Sequence, residues 1–358
     1  MSADVLAPPA SSRPTGATRP GRALRVLAWL SFVAEVVIIG TGGAVRLTGS
    51  GLGCSQWPLC TPESLVPTPE LGIHGLIEFG NRTMTGVVGL LALAVLVLTL
   101  LHLRARRELI RTGWFALGGV VLAAAAMALT RSFVVAVAVA LVAVIAAAIV
   151  TVRTAPARRD LLVLSWLVVV GVVAQGLVGG ITVLTGLNPF IVGFHYASSV
   201  LLVVLTAAFL VRAYDTPGPR ARVVPKWFAI LTHVTTLVLA VTIGAGVLTT
   251  SNGPHSGDAN VIRTGFDATV LAHVHSWPGY VLLALVLALT VAAARLRLRP
   301  LPWLTALLAV IAVQVVVGIF QARNGLPELL VGIHMVLAGL SAAAFTVVVL
   351  RLKRPTAD

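Results

Sequence analysis

Long apolar runs separated by short polar segments dominate the pattern of hydrophobic and polar positions along this chain. Each run is about 20 residues long, the length that an α-helix needs to cross the hydrocarbon core of a bilayer. The first run is too long for a removable signal peptide, and it lacks a small-residue cleavage site. The pattern therefore predicts an all-α, polytopic membrane protein, a helical bundle with about ten transmembrane helices. The predicted spans are 24–45, 83–103, 112–130, 133–152, 161–184, 192–211, 227–249, 270–294, 302–321 and 330–350.

Composition agrees with this class, and the distribution of charge adds an orientation. The chain is 58% hydrophobic and 11% charged, with a mean hydropathy of +0.99. Of its 26 basic residues, 21 fall on one side of the predicted membrane and five on the other. By the positive-inside rule, the basic side and both termini are cytoplasmic, and residues 1–22 are predicted to be a disordered cytoplasmic tail. The net charge of +14 is thus explained by topology in lipid, and we expect no nucleic-acid partner.

Arginine outnumbers lysine 24 to 2, and alanine and valine are frequent. This usage is typical of a GC-rich bacterial genome. The sequence therefore favours a bacterial plasma membrane as the location of the protein.

Most of the histidines fall on the predicted outer side of the membrane, and two of them end the same motif. Gln175–His195 aligns without gaps on Gln314–His334, at an offset of 139. Neutral imidazole is the commonest metal ligand of proteins, and ionisable groups at a membrane are costly and tend to be functional. A duplicated unit that repeats its histidine predicts a pair of metal or haem sites related by pseudo-symmetry. The outer histidines are His74, His195, His255, His273, His275 and His334.

The repeat extends to the earlier spans of each half. Residues 41–51 resemble residues 243–253, since each segment ends a span and opens an outer loop. Matching the segments that follow these loops pairs Asn81 with His275.

Comparing the two halves predicts an insertion in the first. His275 and His334 are 59 residues apart, whereas Asn81 and His195 are 114 apart. The excess equals about two spans with their loops, so residues 112–152 are predicted to be an inserted helical hairpin. We therefore expect two pseudo-symmetric four-helix halves plus this hairpin. The predicted halves are residues 23–215, which contain the hairpin, and residues 226–354.

Histidines on facing helices of a bundle are suited to holding a haem. Each comes from a different span, and the sequence offers no acidic cluster and no four-cysteine set for a zinc or iron–sulfur site. Bundle cores regularly hold cofactors. Gly193 and Gly332 precede two of the histidines, and Gly179 and Gly318 lie on the preceding spans. Such small residues leave room for a flat macrocycle or for close helix packing, and both explanations stay open.

Taken together, these residues resemble the haem A synthase family, membrane enzymes that oxidise a methyl of haem O to a formyl. The most specific segment is GGAVRLTGSGLGCSQWPLC at Gly42–Cys60, followed by Glu78 and Arg82. The family pattern is an eight-helix bundle of two halves, with one histidine from each of four helices. This chain departs from that pattern in its ten spans, in Asn81 at the first histidine position, and in a second outer loop, Ser251–Asp258, without cysteines. The positions that match the family's site are Glu78, His195, His275 and His334.

The resemblance implies a role for each half. The C-terminal half would hold a resident haem b through His275 and His334 as iron ligands. The N-terminal half would take haem O as substrate, with His195 as an iron ligand and Glu78 as the catalytic residue. Arg82 would bind a propionate or stay an ordinary interfacial arginine. The residues alone also allow Glu78 to be a carboxylate favoured by the dipole at a helix N-terminus.

The implied reaction converts the C8 methyl of haem O by successive hydroxylations to a gem-diol, which loses water to give the formyl of haem A for terminal oxidases. Oxidising an unactivated methyl needs a redox cofactor, with O₂ or water as the second substrate. Haem O synthase and an electron donor are the implied partners. Whether the protein forms a homo-oligomer is left open.

Cys54 and Cys60 are the only cysteines, and both lie in a predicted outer loop. An oxidising compartment favours a disulfide between them. The pair could be a structural staple of the loop, whereas the resemblance favours a redox-active disulfide.

The ligand at the Asn81 position is the main open question, because an amide is a poor haem ligand. His74 is a candidate replacement, although seven positions along a continuous helix correspond to about 10 Å. The favoured alternative is a haem O iron that is five-coordinate or binds water. His273 and a changed register of this helix are the others.

Two other classes of protein compete with this interpretation. A di-haem b-type membrane cytochrome that only transfers electrons would explain the repeated histidines, but not Glu78, Arg82 or the cysteine loop. A transporter built on repeats would carry polar groups at the middle of the membrane, whereas here they cluster at the outer side. We therefore favour an oxidoreductase, haem A synthase, over both.

Overall fold

The structure, a computed structural model, describes residues 19–155, 158–258, 261 and 265–356. In this part of the chain, ten helices are long and apolar enough to cross a membrane. They confirm the predicted all-α, polytopic bundle, and each predicted span coincides with one of them. Residues 1–18 of the predicted tail lie outside the described residues. The helices are α1 (Arg22–Leu47), α2 (Gly72–His102), α3 (Arg106–Thr130), α4 (Phe133–Thr154), α5 (Arg159–Leu184), α6 (Pro189–Tyr214), α7 (Lys226–Asn252), α8 (Ala268–Arg295), α9 (Leu301–Arg323) and α10 (Glu328–Leu350).

Helix α2 begins much earlier than hydropathy indicates. It starts at Gly72, directly after the short 3-10 turn Pro69–Leu71, rather than at residue 83. The polar segment that it gains contains Glu78 and Arg82, which form an ion pair one turn apart. Because the two charges compensate each other and also bind a neighbouring loop, this segment is helical despite its low hydropathy.

Side-chain caps fix the beginnings of α6 and α8. Asn188 Oδ1 accepts a hydrogen bond from Phe190 N at 3.0 Å. Asp267 Oδ1 accepts from Thr269 N and Val270 N at 2.8 and 2.9 Å. These caps satisfy N–H groups that the first turn of a helix leaves free. They therefore fix the positions of the α6 and α8 histidines along the axis of the bundle.

The helices pack as two rings of four. Helices α1, α2, α5 and α6 form one ring and α7, α8, α9 and α10 the other, and α6 and α1 join the rings by packing against α10. The α3–α4 hairpin lies outside, with α3 against α2 and α4 against α5, and few of its residues are buried. The assignment of one half to the substrate and the other to haem b stays a prediction. The apolar core where the rings meet contains Ile39, Val200, Val203, Ala207, Ala342 and Ala343.

The two ends of the bundle differ in chemistry. We call the end where α2, α6, α8 and α10 begin the histidine end, and the opposite end the arginine end. At the arginine end, β1 (Arg220–Arg222) pairs antiparallel with β2 (Lys353–Pro355). Asp215 binds Arg220 at 2.7 Å and Arg351 at 2.9 Å. These contacts tie the connection after α6 to the C-terminal segment. Which end faces the cytoplasm stays a prediction.

Candidate functional site

The three histidines predicted as iron ligands all lie at the histidine end, near the beginnings of α6, α8 and α10, and each is partly buried. His275 on α8 and His334 on α10 face each other, with ring centroids 5.9 Å apart and ring planes at 80°. His195 on α6 belongs to the other ring of helices. The structure thus brings the predicted C-terminal pair together and holds the third histidine apart from it.

The fold fixes the orientation of the His275 ring. Its Nδ1 donates a hydrogen bond to the Thr242 carbonyl of α7 at 3.0 Å. A carbonyl only accepts, so Nδ1 of the neutral ring carries the proton and Nε2 keeps the lone pair that a metal needs. Gly246 faces the ring, and a Cβ there would lie 2.8 Å from His275 Cε1. A larger residue at Gly246 would displace the imidazole.

His334 and Gln314 each carry a buried polar atom that has no hydrogen-bond partner among the described residues. The two atoms are His334 Nδ1 and Gln314 Oε1. Buried polar atoms without a partner are rare in folded proteins. In the matching position of the repeat, Gln175 Oε1 accepts from His195 Nδ1 at 2.9 Å. Gln314 Oε1 and His334 Nδ1 are the counterparts of that pair in the repeat, and a hydrogen bond between them would satisfy both atoms and leave Nε2 free.

A cavity of about 420 Å³ lies beside this pair of histidines. Its volume is in the range of cofactor and ligand sites. The lining combines both imidazoles with mainly apolar side chains and with Gly318, which faces His334 Cε1 at 3.5 Å from its ideal Cβ position. This site fits a haem, because it combines two imidazoles from facing helices with glycines beside both rings and apolar walls.

His195 is held by a network of its own. Its Nδ1 donates to Gln175 Oε1 at 2.9 Å, and Gln175 Nε2 donates to the His195 carbonyl at 2.9 Å and to Ser199 Oγ at 2.5 Å. Gly179 faces the ring, with an ideal Cβ position 3.4 Å from His195 Cε1. The amide of Gln175 therefore holds the proton on Nδ1 and leaves Nε2 as the metal-binding nitrogen.

Asn81 and His74 stand at different heights on α2. Asn81 Oδ1 accepts a hydrogen bond from Thr41 Oγ1 of α1 at 2.8 Å. His74 is exposed, and its Nδ1 shares a hydrogen bond of 2.8 Å with Ser50 Oγ. The two positions are joined by continuous helix, which corresponds to about 10 Å along the axis. His273, the other candidate ligand, lines the cavity of the second ring of helices.

The predicted disulfide between Cys54 and Cys60 is present, and both side chains are buried. Glu78 and Arg82 hold its loop. Glu78 Oε2 accepts from Cys54 N at 2.6 Å, and Arg82 donates to the Cys54 carbonyl at 2.8 Å and to the Leu59 carbonyl at 2.9 Å. The disulfide loop is thus anchored on α2 by the same ion pair that the sequence analysis selected.

These contacts rule out two of the simpler explanations. Glu78 is not a carboxylate of the first helical turn, because α2 begins at Gly72 and has no acidic residue there. Arg82 is not an ordinary interfacial arginine, because it binds Glu78 and carbonyls of the loop. Glu78 is only 5% exposed, so its charge is held by Arg82 and a backbone N–H away from water.

Sequence reasoning missed the contact that lays this loop over α5. Trp57, between the two cysteines, packs on Gly180 so closely that a Cβ there would overlap the indole ring. Gly180 directly follows Gly179, the residue that faces His195. A tryptophan between the cysteines and a pair of adjacent glycines were the only signals in the sequence. The disulfide loop therefore lies next to the His195 site.

The rings of helices also touch through the residues that follow the repeated histidines. Tyr196 Oη donates to the Met335 carbonyl at 2.9 Å. Both residues occupy the same repeat position, one after His195 and one after His334. The offset of the repeat could have indicated this contact before the structure was known.

The chain matches one protein-family model. That model is described as cytochrome oxidase assembly protein, COX15-CtaA, and it covers residues 25–133 and 129–349. The match therefore extends over both rings of helices and includes every predicted site residue.

Curated relatives match over shorter segments. The chain is 40% identical over 83 residues to a heme A synthase of Exiguobacterium sibiricum, which is 23% of this chain and 27% of that protein. It is 46% identical over 78 residues to a heme A synthase of Bacillus pumilus, covering 21% and 24%. It is 42% identical over 100 residues to a heme A synthase of Lysinibacillus sphaericus, covering 26% and 31%. The chain thus spans between 24% and 31% of the length of these relatives.

Proposed function

The chain belongs to the COX15-CtaA family of cytochrome oxidase assembly proteins, and we propose that it is a haem A synthase, oxidising the C8 methyl of haem O to a formyl. The observation that carries the proposal is the facing pair His275 and His334 beside an apolar cavity, with a third histidine, His195, repeated in the other ring. The heme A synthases among its relatives support the same activity.

His275 and His334 would hold a resident haem b. An iron with two imidazole ligands supplies one-electron transfer. The Thr242 carbonyl keeps Nε2 of His275 free for the iron, and the glycines beside the two rings leave space for a flat group. The mainly apolar walls lower the local dielectric constant, which strengthens the charge interactions within the site.

His195 would bind the substrate haem O in the other ring of helices. Gln175 keeps Nε2 of His195 free, and the disulfide loop lies next to this site through Trp57. Asn81 would supply no imidazole to this site, which leaves room for water or O₂. The methyl would be hydroxylated twice, with O₂ or water as the oxygen source and an external redox partner exchanging the electrons, and the gem-diol would lose water to give the formyl.

Glu78 is the proposed catalytic residue of this half. It stands about one helical turn from Asn81 on α2, so its carboxylate would lie close to a substrate held in this half. There it would transfer protons to or from the site as the methyl is oxidised. Arg82 holds that carboxylate in place and binds the loop, and this engagement argues against a free role as a propionate ligand.

The remaining assignments follow from the activity and the charge pattern. Haem O synthase would supply the substrate, and an electron donor would act at the haem b half. A bacterial plasma membrane with both termini cytoplasmic would place the histidine end outside, where an oxidising compartment suits the disulfide.

The test is the haem content and product of the purified full chain. Haem b together with haem O or haem A, and conversion of added haem O to haem A, would support the proposal. Haem b without conversion would favour the di-haem cytochrome, which the repeated histidines also fit. A protein without haem would exclude both.

A second measurement tests the ligand pair directly. His275→Ala and His334→Ala should each abolish the low-spin spectrum of haem b, because one axial imidazole is lost. His233→Ala is the matched control, since His233 is exposed on α7 toward the arginine end. If both ligand variants kept the low-spin spectrum, the haem b site would be misassigned.

A further inference from the structure

We infer that Arg46 and Arg323 bind the carboxylate-bearing edge of the group held between His275 and His334, so that an arginine of the first half completes the site of the second. This inference rests on the proposed function, because it assigns an orientation to the haem b of that cavity. It gives a role to two residues to which neither the histidine repeat nor the resemblance assigned one, although Arg46 lies within the segment Gly42–Cys60.

Arg46 reaches across the boundary between the two rings of helices. It stands in the last turn of α1, yet it lines the cavity of the second ring. Its Nε donates to the His255 carbonyl at 2.8 Å and its Nη2 to the Thr250 carbonyl at 2.7 Å. Nη1 has no hydrogen bond within the described part of the chain and is not among its buried, partnerless atoms. Two backbone carbonyls therefore fix the guanidinium, and one nitrogen stays available for a ligand.

Arg323 lines the same cavity from the last turn of α9. It is exposed, and neither it nor Arg46 forms a salt bridge with a described residue. No aspartate or glutamate is among the residues that line the cavity. Among the described residues, the mouth of the cavity thus carries two cations without an acidic partner. Arg46 is partly buried, and a charge that leaves water needs a counter-ion, so Arg46 calls for an anionic ligand, with the exposed Arg323 beside it.

The heights of the side chains agree with this orientation. His334 lies six residues beyond Glu328, the first residue of α10, which is about 9 Å into the bundle. Arg46 and Arg323 lie in the last turns of helices that finish at the same end. The ligand that fits is therefore a flat, apolar, metal-containing group with carboxylates along one edge, directed toward the histidine end. Arg46 can donate one charge-assisted hydrogen bond to such an edge through Nη1, because its other two nitrogens bind backbone carbonyls. The planar fork of Arg323 can donate two parallel hydrogen bonds to a carboxylate.

Both arginines also have a purely structural explanation. A cation in the last turn of a helix compensates the dipole of that helix, and Arg46 joins two segments through its backbone contacts. That explanation predicts that substituting the arginines lowers stability and ligand affinity to the same extent whether or not the ligand carries carboxylates. The inference predicts an effect that depends on the ligand's carboxylates.

The experiment compares two ligands that differ only in charge. The parent protein is the full-length chain with His195→Ala, purified from haem-deficient cells. This substitution leaves the cavity between His275 and His334 as the site that binds haem. The protein is titrated with iron protoporphyrin IX and with its dimethyl ester, whose carboxylates are neutral, and the low-spin absorption reports binding. Arg46→Gln, Arg323→Gln and the double variant are compared with the control Arg131→Gln, an exposed arginine of the same end between α3 and α4.

We expect the parent and the control to bind the free acid about tenfold or more tightly than the ester, the effect of one charge-assisted contact. Each single variant should reduce this ratio, and the double variant should bring it near one, with ester binding little changed. Equal weakening of acid and ester, or an unchanged ratio, would overturn the inference while leaving the proposed function standing. If the parent bound neither ligand, the proposed haem b site itself would fail. Arg46→Lys, which keeps the charge, should retain most of the ratio even if Arg46→Gln does not fold.

Discussion

Single side chains at the candidate sites are oriented by acceptors rather than by packing alone. The Thr242 carbonyl receives the proton of His275 Nδ1, and Gln175 Oε1 receives that of His195 Nδ1. In both cases the nitrogen that can bind iron is the one left without a protein partner. The acceptor for His275 is a backbone carbonyl of the preceding helix, whereas the acceptor for His195 is a side chain. Only the side-chain acceptor can be removed by substitution. Gln175 is therefore the residue through which the basicity of a haem ligand can be changed.

Glu78 both anchors the disulfide loop and is the proposed catalytic residue, and these roles can be separated. We expect Glu78→Gln to keep haem b, because that haem would lie in the other ring of helices. Haem A formation should fall by about a hundredfold, the usual contribution of a positioned acid–base group. Glu70→Gln is the control, since Glu70 is exposed on the turn before α2. Turnover and haem O affinity are measured together. Normal turnover, or a loss explained entirely by haem O affinity, would reduce Glu78 to an anchor of the loop.

His74 is the candidate second imidazole ligand of haem O, and its position argues against that role. It binds Ser50 and stands about two turns from Asn81, so we expect the iron of haem O to keep His195 as its only imidazole ligand. His74→Ala should then leave the high-spin, five-coordinate or water-ligated spectrum of haem O-loaded protein unchanged. A change from low-spin to high-spin on losing His74 would show instead that His74 is the sixth ligand.

Among the elements, the helices could be predicted from the sequence and the contacts of the loop could not. An apolar run long enough to cross a bilayer is a property of its own residues, so the ten spans followed from hydropathy. The early beginning of α2 depends on the ion pair between Glu78 and Arg82 and on their hydrogen bonds to the Cys54 backbone. Those hydrogen bonds form only when the loop is folded. The packing of Trp57 on Gly180 joins segments far apart in the chain and left no periodic signal. The resemblance to the haem A synthase family had paired His275 with His334, and their rings lie 5.9 Å apart in the structure.

The disulfide loop allows a test of whether its cysteines are structural or redox-active. Beyond the disulfide, the loop is held by Arg82 and Glu78 and by the contact of Trp57 with α5. For so short a loop the crosslink contributes about 2 kcal/mol to the free energy of unfolding. We therefore expect Cys54→Ser with Cys60→Ser to lower the melting temperature modestly and to lose most turnover.

The control for this test is Ser55→Ala, an exposed substitution in the same loop. It should change neither the melting temperature nor turnover. Unchanged turnover in the cysteine variant, together with a lower melting temperature, would identify the disulfide as a staple.

The protein as a whole is polarised, and this polarity predicts its orientation in the membrane. The histidine end carries the disulfide, which suits an oxidising compartment, whereas most of the basic residues lie toward the arginine end. Arg104 and Arg131 offer a matched pair for testing this, because both are exposed and both adopt a left-handed backbone, with φ of 51° and 54°. Arg104 follows α2 at the arginine end, and Arg131 follows α3 at the histidine end.

In intact cells, a membrane-impermeant thiol reagent should therefore label Arg131→Cys and spare Arg104→Cys, with both labelled once the membrane is opened. The native cysteines do not interfere while they are joined to each other. The reverse labelling pattern would place the histidine end in the cytoplasm. The disulfide would then lie in a reducing compartment, and the charge distribution would contradict the positive-inside rule. The proposed location of the oxidation on the outer side of the membrane therefore depends on this result.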